Sequence, residues 1–83
     1  MKYAAATKDH KFQSVEADSG SDAVEIFAER LARKEYGKRG RVGAIRHDSS
    51  SMDHTSSTWE IFIGYKNDGG LTGRNVWLHL SHN

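Results

Sequence analysis

The chain has 83 residues, with eight Gly, no Pro, no Cys and a formal net charge of +1. That length holds one domain, read here as a single compact unit over 1–83. The missing Cys exclude a disulfide scaffold, a Cys-based zinc module and a thiol enzyme, and the missing Pro exclude a Pro-rich linker or recognition tail. Leu, Ile, Val and Phe together number only 15. The net charge is nevertheless low and the apolar residues recur periodically, which indicates a folded chain rather than a disordered one. The first apolar run, Tyr3–Ala6, is followed by a charge at Lys8, too soon for a signal-peptide core, and no stretch approaches a membrane span. The expected setting is the cytoplasm.

In chain order, residues 2–7 and 11–17 form two short strand candidates joined by a turn at Lys8, Asp9 and His10. A helix is expected over 20–36. Ser19 is its N-cap, Asp22 stands at the capping-box position and Gly37 supplies the residue that ends it. At 100° per residue, Ala23, Val24, Phe27, Ala28 and Leu31 share one apolar stripe, while Glu25, Glu29 and Arg33 lie opposite, with Glu29 and Arg33 at i,i+4 spacing. Three more strands follow, at 41–47, 58–65 and 75–80. In the second, Trp59, Ile61, Ile63 and Tyr65 alternate onto one face with Phe62 on the other. In the third, Val76, Leu78 and Leu80 oppose Trp77 and His79. The Ser-rich run 48–57 reads as a mobile, exposed loop, and the Gly-rich run 67–73 as a hairpin turn. The order is ββαβββ, or βαβββ if the first two strands merge. This is an α+β domain with one helix on a four- to five-stranded antiparallel sheet. One helix cannot hide Trp59, Phe62, Tyr65 and Trp77 together. Either the twisted sheet curls over these rings or some of them face a partner or a second copy in a homodimer.

The charges are strongly divided. Residues 9–29 hold six acids and one base, and residues 30–46 hold seven bases and one acid. The helix dipole favours that polarity. The bases are Arg30, Arg33, Lys34, Lys38, Arg39, Arg41 and Arg46, and with Tyr36 they form the candidate binding surface, a cationic knob that attracts phosphate or an acidic protein surface. Trp59, Phe62 and Trp77 are candidate aromatic contacts.

Signs of chemistry are sparse. His79 and His82 have metal-compatible spacing but lack a third ligand, so no metal is expected. Asp53 and His54 lie among serines in a loop, which does not hold a catalytic triad to the required tolerance. The glycines at 69, 70 and 73 fit no phosphate-loop motif. No cofactor and no enzymatic activity are expected.

The run from Val15 to Gly37, a lone helix after a first hairpin and followed by an antiparallel sheet, resembles the layout of small phage and mobile-element proteins of the anti-CRISPR type. That resemblance implies a non-enzymatic inhibitor. It would bind a CRISPR effector ribonucleoprotein and block guide–target pairing, recognition of the target's flanking motif or nuclease recruitment. Many such proteins imitate nucleic acid with acidic surfaces. Here the strongest patch is basic, which points to docking on acidic protein, guide RNA or target backbone. The alternative is a small nucleic-acid-binding module, in which basic residues grip phosphates while Trp59, Phe62, Tyr65 and Trp77 stack on bases.

Overall fold

A computed structural model describes residues 1–9 and 12–82. The turn residue His10 and the neighbouring Lys11 lie outside the described residues. The elements are β1 (Lys2–Thr7), β2 (Gln13–Glu16), α1 (Gly20–Tyr36), a 3-10 turn (Gly37–Arg39), β3 (Gly40–Ser50), β4 (Ser56–Asn67) and β5 (Gly70–His82). The five strands form one antiparallel sheet in the order β2-β1-β5-β4-β3. The architecture is α+β with element order ββαβββ. Among the described residues no helix is long and apolar enough to cross a membrane.

The helix begins and ends on its expected residues. The Ser19 hydroxyl accepts from the Asp22 N–H at 3.2 Å, and Gly37, at φ 67°, donates its N–H to the Arg33 carbonyl. Ala23, Val24, Phe27, Ala28 and Leu31 are buried as a stripe, and Ala32 joins them. Opposite them the sheet presents Ile61 and Ile63 from β4, Val76, Leu78 and Leu80 from β5, Tyr3 and Ala5 from β1 and Val15 from β2. Each set follows the period of its own element: 3.6 for the helix, 2 for the strands.

The strands are longer than their apolar segments. Asp48, Ser49 and Ser50 extend β3, and Ser56 and Ser57 open β4, so only Ser51–Thr55 remains as the connection expected at 48–57. Likewise Gly70–Gly73 belong to β5, and the β4–β5 turn is Asp68–Gly69. Serine and glycine have poor strand propensity. They pair here because the β4–β5 hairpin continues its register without interruption from Asn67↔Gly70 to Ser56↔Ser81. The Asn67 side chain closes the turn by accepting from the Gly69 N–H at 2.9 Å. In contrast, β2 is shorter than expected, and Phe12 just before it is 64% exposed.

Strand lengths decide what the helix leaves uncovered. Seventeen residues of helix span about 25 Å, whereas strands of 12 and 13 residues span about 40 Å, and the longest molecular dimension is 43 Å. The sheet is therefore longer than α1, whose C-terminal end reaches the β4–β5 turn through Tyr36 on Tyr65 and Arg39 on Lys66. Its far face carries no helix.

Both sheet edges are broken up. β2 has four residues. β3 carries two register shifts, between Val42 and Ile45 and between His47 and Ser49. Such irregularities twist an edge away from intermolecular pairing.

Two substitutions test this core. Phe27→Ala is expected to cost about 3–5 kcal/mol, read from urea unfolding. A Cβ on Gly40 would sit 2.2 Å from the Ala32 carbonyl oxygen in the helix backbone. Gly40→Ala is therefore expected to destabilise by about 1–3 kcal/mol, since neither backbone can yield freely, and an unchanged unfolding midpoint would contradict this packing.

Candidate binding surface at the helix C-terminus

The C-terminal end of α1, the 3-10 turn and the start of β3 bring most of the expected basic residues to one end of the molecule, divided between two flanks. Arg33, Lys38 and Arg41 line a groove between α1 and β3, with Val42 and Ile45 along its floor and Glu25 and Glu29 further up the helix. Arg30 and Lys34 lie on the opposite flank beside Gln13 of β2, where the Arg30 guanidinium donates to the Ser14 carbonyl at 3.4 Å. Arg39 occupies the tip between them. Arg33, Lys34 and Lys38 are exposed and, among the described residues, form no ion pair. The i,i+4 spacing of Glu29 and Arg33 therefore produces no salt bridge.

Arg39 and Arg41 are fixed without being neutralised. Arg39 donates to the Lys66 carbonyl at 3.1 Å, and its guanidinium lies 5.4 Å from the Tyr65 ring centre. Arg41 donates to the carbonyls of Lys38 at 2.9 Å and Gly40 at 2.8 Å. A neutral carbonyl orients a guanidinium but leaves its net charge intact, and each guanidinium has five N–H donors. Nearby, the Arg74–Glu35 ion pair joins β5 to α1 and raises the Arg74 pKa.

Two expected members stand apart. Tyr36 packs its ring on Tyr65, 5.6 Å between centres, and is half-buried. Arg46 lies on the far face of the sheet, paired with Glu60 at 2.9 Å and Asp48 at 3.6 Å, so its charge is answered within the chain.

The aromatic candidates separate by strand parity. Trp59 faces the helix side, half-buried, with its ring 4.7 Å from that of His47 and its indole N–H donating to Ser57 at 2.7 Å. Phe62 and Trp77 face the other way. Phe62 is half-buried, and with Leu71 it fills the space beside Gly43. Trp77 is 52% exposed, with the Arg46 guanidinium 6.0 Å from its ring. Trp59 thus packs on the margin of the core, Tyr65 is half-buried beside Tyr36 and Arg39, and Trp77 is left exposed.

The remaining histidine and loop candidates are also resolved by geometry. His79 and His82 are three residues apart on one strand, which sends them to opposite faces. Among the described residues no group of His, Asp and Glu converges on a metal position. In the Ser51–Thr55 loop, Asp53 accepts from the Ser51 hydroxyl at 2.6 Å and from the Thr55 hydroxyl at 2.8 Å and N–H at 3.2 Å. His54 takes a positive φ of 60° as its N–H donates to the Ser51 carbonyl at 3.0 Å. The serines expected to make this loop mobile instead help to close it. Sequence reasoning missed that role, although Ser-x-Asp-x-Thr is the kind of short polar run that bonds its own backbone.

The chain matches no protein-family model, no curated protein sequence and no solved structure.

The loop hydrogen bonds, first from Ser51 and then from Thr55, hold the Asp53 carboxyl at about 2 against an ordinary 3.8. Because the folded value is depressed, the carboxylate's contribution to holding the loop is present above pH 3.8 and is lost as pH falls toward 2, while the backbone bonds Ser51–Ser56 and His54–Ser51 do not titrate. Carbon-detected titration of Asp53 is expected to show a midpoint near 2. Ser51→Ala is expected to move it upward, and an unmoved midpoint would show that the hydroxyl is not its cause.

Proposed function

We propose that this chain is a non-enzymatic binding protein, an inhibitor of the anti-CRISPR type. It docks through the cationic end of α1 on a CRISPR effector ribonucleoprotein and blocks its engagement of target nucleic acid. The observation that carries this reading is the state of the bases at that end. Arg39 and Arg41 are oriented by neutral carbonyls, and Arg33, Lys34 and Lys38 have no ion-pair partner among the described residues. Charge gathered on one end and left unanswered attracts a polyanion or an acidic protein surface and steers its approach. Arg46 is left out of the contact set because Glu60 and Asp48 already answer its charge.

A second reading, a free nucleic-acid module, is favoured by the exposed Trp77 on the uncovered sheet face beside Arg46. Stacking of bases on such a ring, with phosphates held by nearby bases, is a general mode of single-strand binding. The two readings differ in whether bare oligonucleotide suffices.

The test is affinity capture from lysate of a CRISPR-bearing host, with and without RNase. Capture of the effector is expected, and the double variant Arg33→Glu/Lys38→Glu is expected to lose it. The variant's unfolding free energy should change by only about 0.5 kcal/mol, while Arg46→Gln keeps full binding. Capture unaffected by the double variant would overturn the assignment of the surface. Binding of bare oligonucleotide that is lost in Trp77→Ala would favour the second reading.

A further inference from the structure

A second concave site lies at the other end of α1, where the sheet runs past the first turn of the helix. It has a volume of about 430 Å³, within the range of small-ligand sites. Three imidazoles line it from three separate segments: His47 from β3, His54 from the loop and His82 from β5. Two of them are held by aromatic neighbours. His47 lies against Trp59 at 4.7 Å and His82 against Tyr3 at 5.0 Å between ring centres. Tyr3 pairs with His82 and Trp59 with Leu78, so the two residues flank β5 four positions apart in register, about 16 Å by strand spacing and rise, and the Leu80–Ser57 pair lies between these levels.

The chemistry of the lining is one-sided. Among the described residues it holds the three imidazoles, several serine and threonine hydroxyls and two aromatic rings, and no carboxylate, lysine or arginine side chain. Of the acids next to these segments, Asp53 is engaged with Ser51 and Thr55 and Asp48 with Arg46, while Asp22 follows the lining Ser21 in the first turn of α1. The lining is thus rich in hydrogen-bond donors and lacks the groups that would repel an anion. Because no set of His, Asp and Glu converges on a metal position among the described residues, the imidazoles surround a larger space than a metal ion needs. Hydroxyl and imidazole donors suit the oxygens of a phosphate, and the flanking rings suit a planar group attached to it.

We propose that this pocket binds a phosphate monoester bearing an aromatic group, its two ends falling at His82 beside Tyr3 and at His47 beside Trp59, where the His47 Nε2 also bonds the Ser50 hydroxyl at 2.8 Å. The site stands apart from the cationic end and does not depend on what that end binds. Its phosphate could come from a free nucleotide or from the 5′ end of a nucleic-acid strand, and the experiment separates these sources.

The experiment is amide and imidazole NMR during titration with adenosine 5′-monophosphate, then with a 5′-phosphorylated oligonucleotide. Saturable shifts are expected at Gly20, Ser21, Thr55 and the ring protons of His47 and His82. His47→Gln/His82→Gln is expected to weaken binding by about tenfold. His54→Asn, which tolerates the same backbone angle, gives a second variant should the first disturb the fold. Arg33→Glu/Lys38→Glu should bind the nucleotide as the parent chain does. Tighter binding of the oligonucleotide supports the site and identifies a strand end, whereas equal or tighter binding of the free nucleotide supports the site and identifies that source. The absence of saturable shifts, shifts confined to residues 33–41, or unchanged affinity in both histidine variants would overturn the proposal.

Discussion

Everything in this molecule depends on one burial: the apolar stripe of α1 against the middle of the sheet. Phe27 and Leu31 meet Ile61, Ile63 and Leu78, all at or near zero exposure. The strands that supply most of that surface are β4 and β5, and β5 lies at the centre of the strand order although it comes last in the chain. The helix therefore has no complete surface to bury against until the C-terminal strand is in place between β1 and β4. Such non-local closure makes folding cooperative and slow relative to a helical bundle. A domain of this size has little stability in reserve, so loss of one large contact in this layer endangers the whole.

The placement of polar groups follows from the mismatch between a short helix and long strands. At the C-terminal end of α1 the chain turns sharply through Gly37–Arg39, and the bases of 33–41 gather without an ion-pair partner among the described residues. Beyond the N-terminal end, the greater length of the sheet leaves the hollow framed by Tyr3, Trp59 and the imidazoles. The helix dipole reinforces this polarity, with the acids toward one end and the bases toward the other. A chain whose charges nearly cancel in total thus presents two ends of different character.

The sheet itself is guarded unevenly. Its edges are shortened at β2 and bulged at β3, which discourages strand-to-strand addition. Its far face is shielded only in part, by the Phe62–Leu71 contact and by the Arg46–Glu60 pair beside Trp77. An exposed ion pair of that kind contributes about 0–1 kcal/mol, so its plainer effect is to hold Arg46 over the indole and away from the cationic end.

The helix and the strand faces were legible from residue order. A Ser cap, an apolar stripe at helical spacing and a terminating glycine place α1 at 20–36, because each acts within a turn or two of its own position. Strand alternation likewise separated Ile61, Ile63, Val76, Leu78 and Leu80 from Phe62 and Trp77. What residue order left open depended on distant partners. Ser49, Ser50, Ser56 and Ser57 are strand residues only because neighbouring strands offer them ladder hydrogen bonds. Arg46, close in sequence to the other bases, was removed from their company by the register shift between Val42 and Ile45 and by a carboxylate 14 residues away. His47, His54 and His82 line one hollow only because β3, the Ser51–Thr55 loop and β5 meet there. Short-range forces are written in the chain itself, whereas the company a charge or an imidazole keeps is set by pairing across the sheet, which no local pattern encodes.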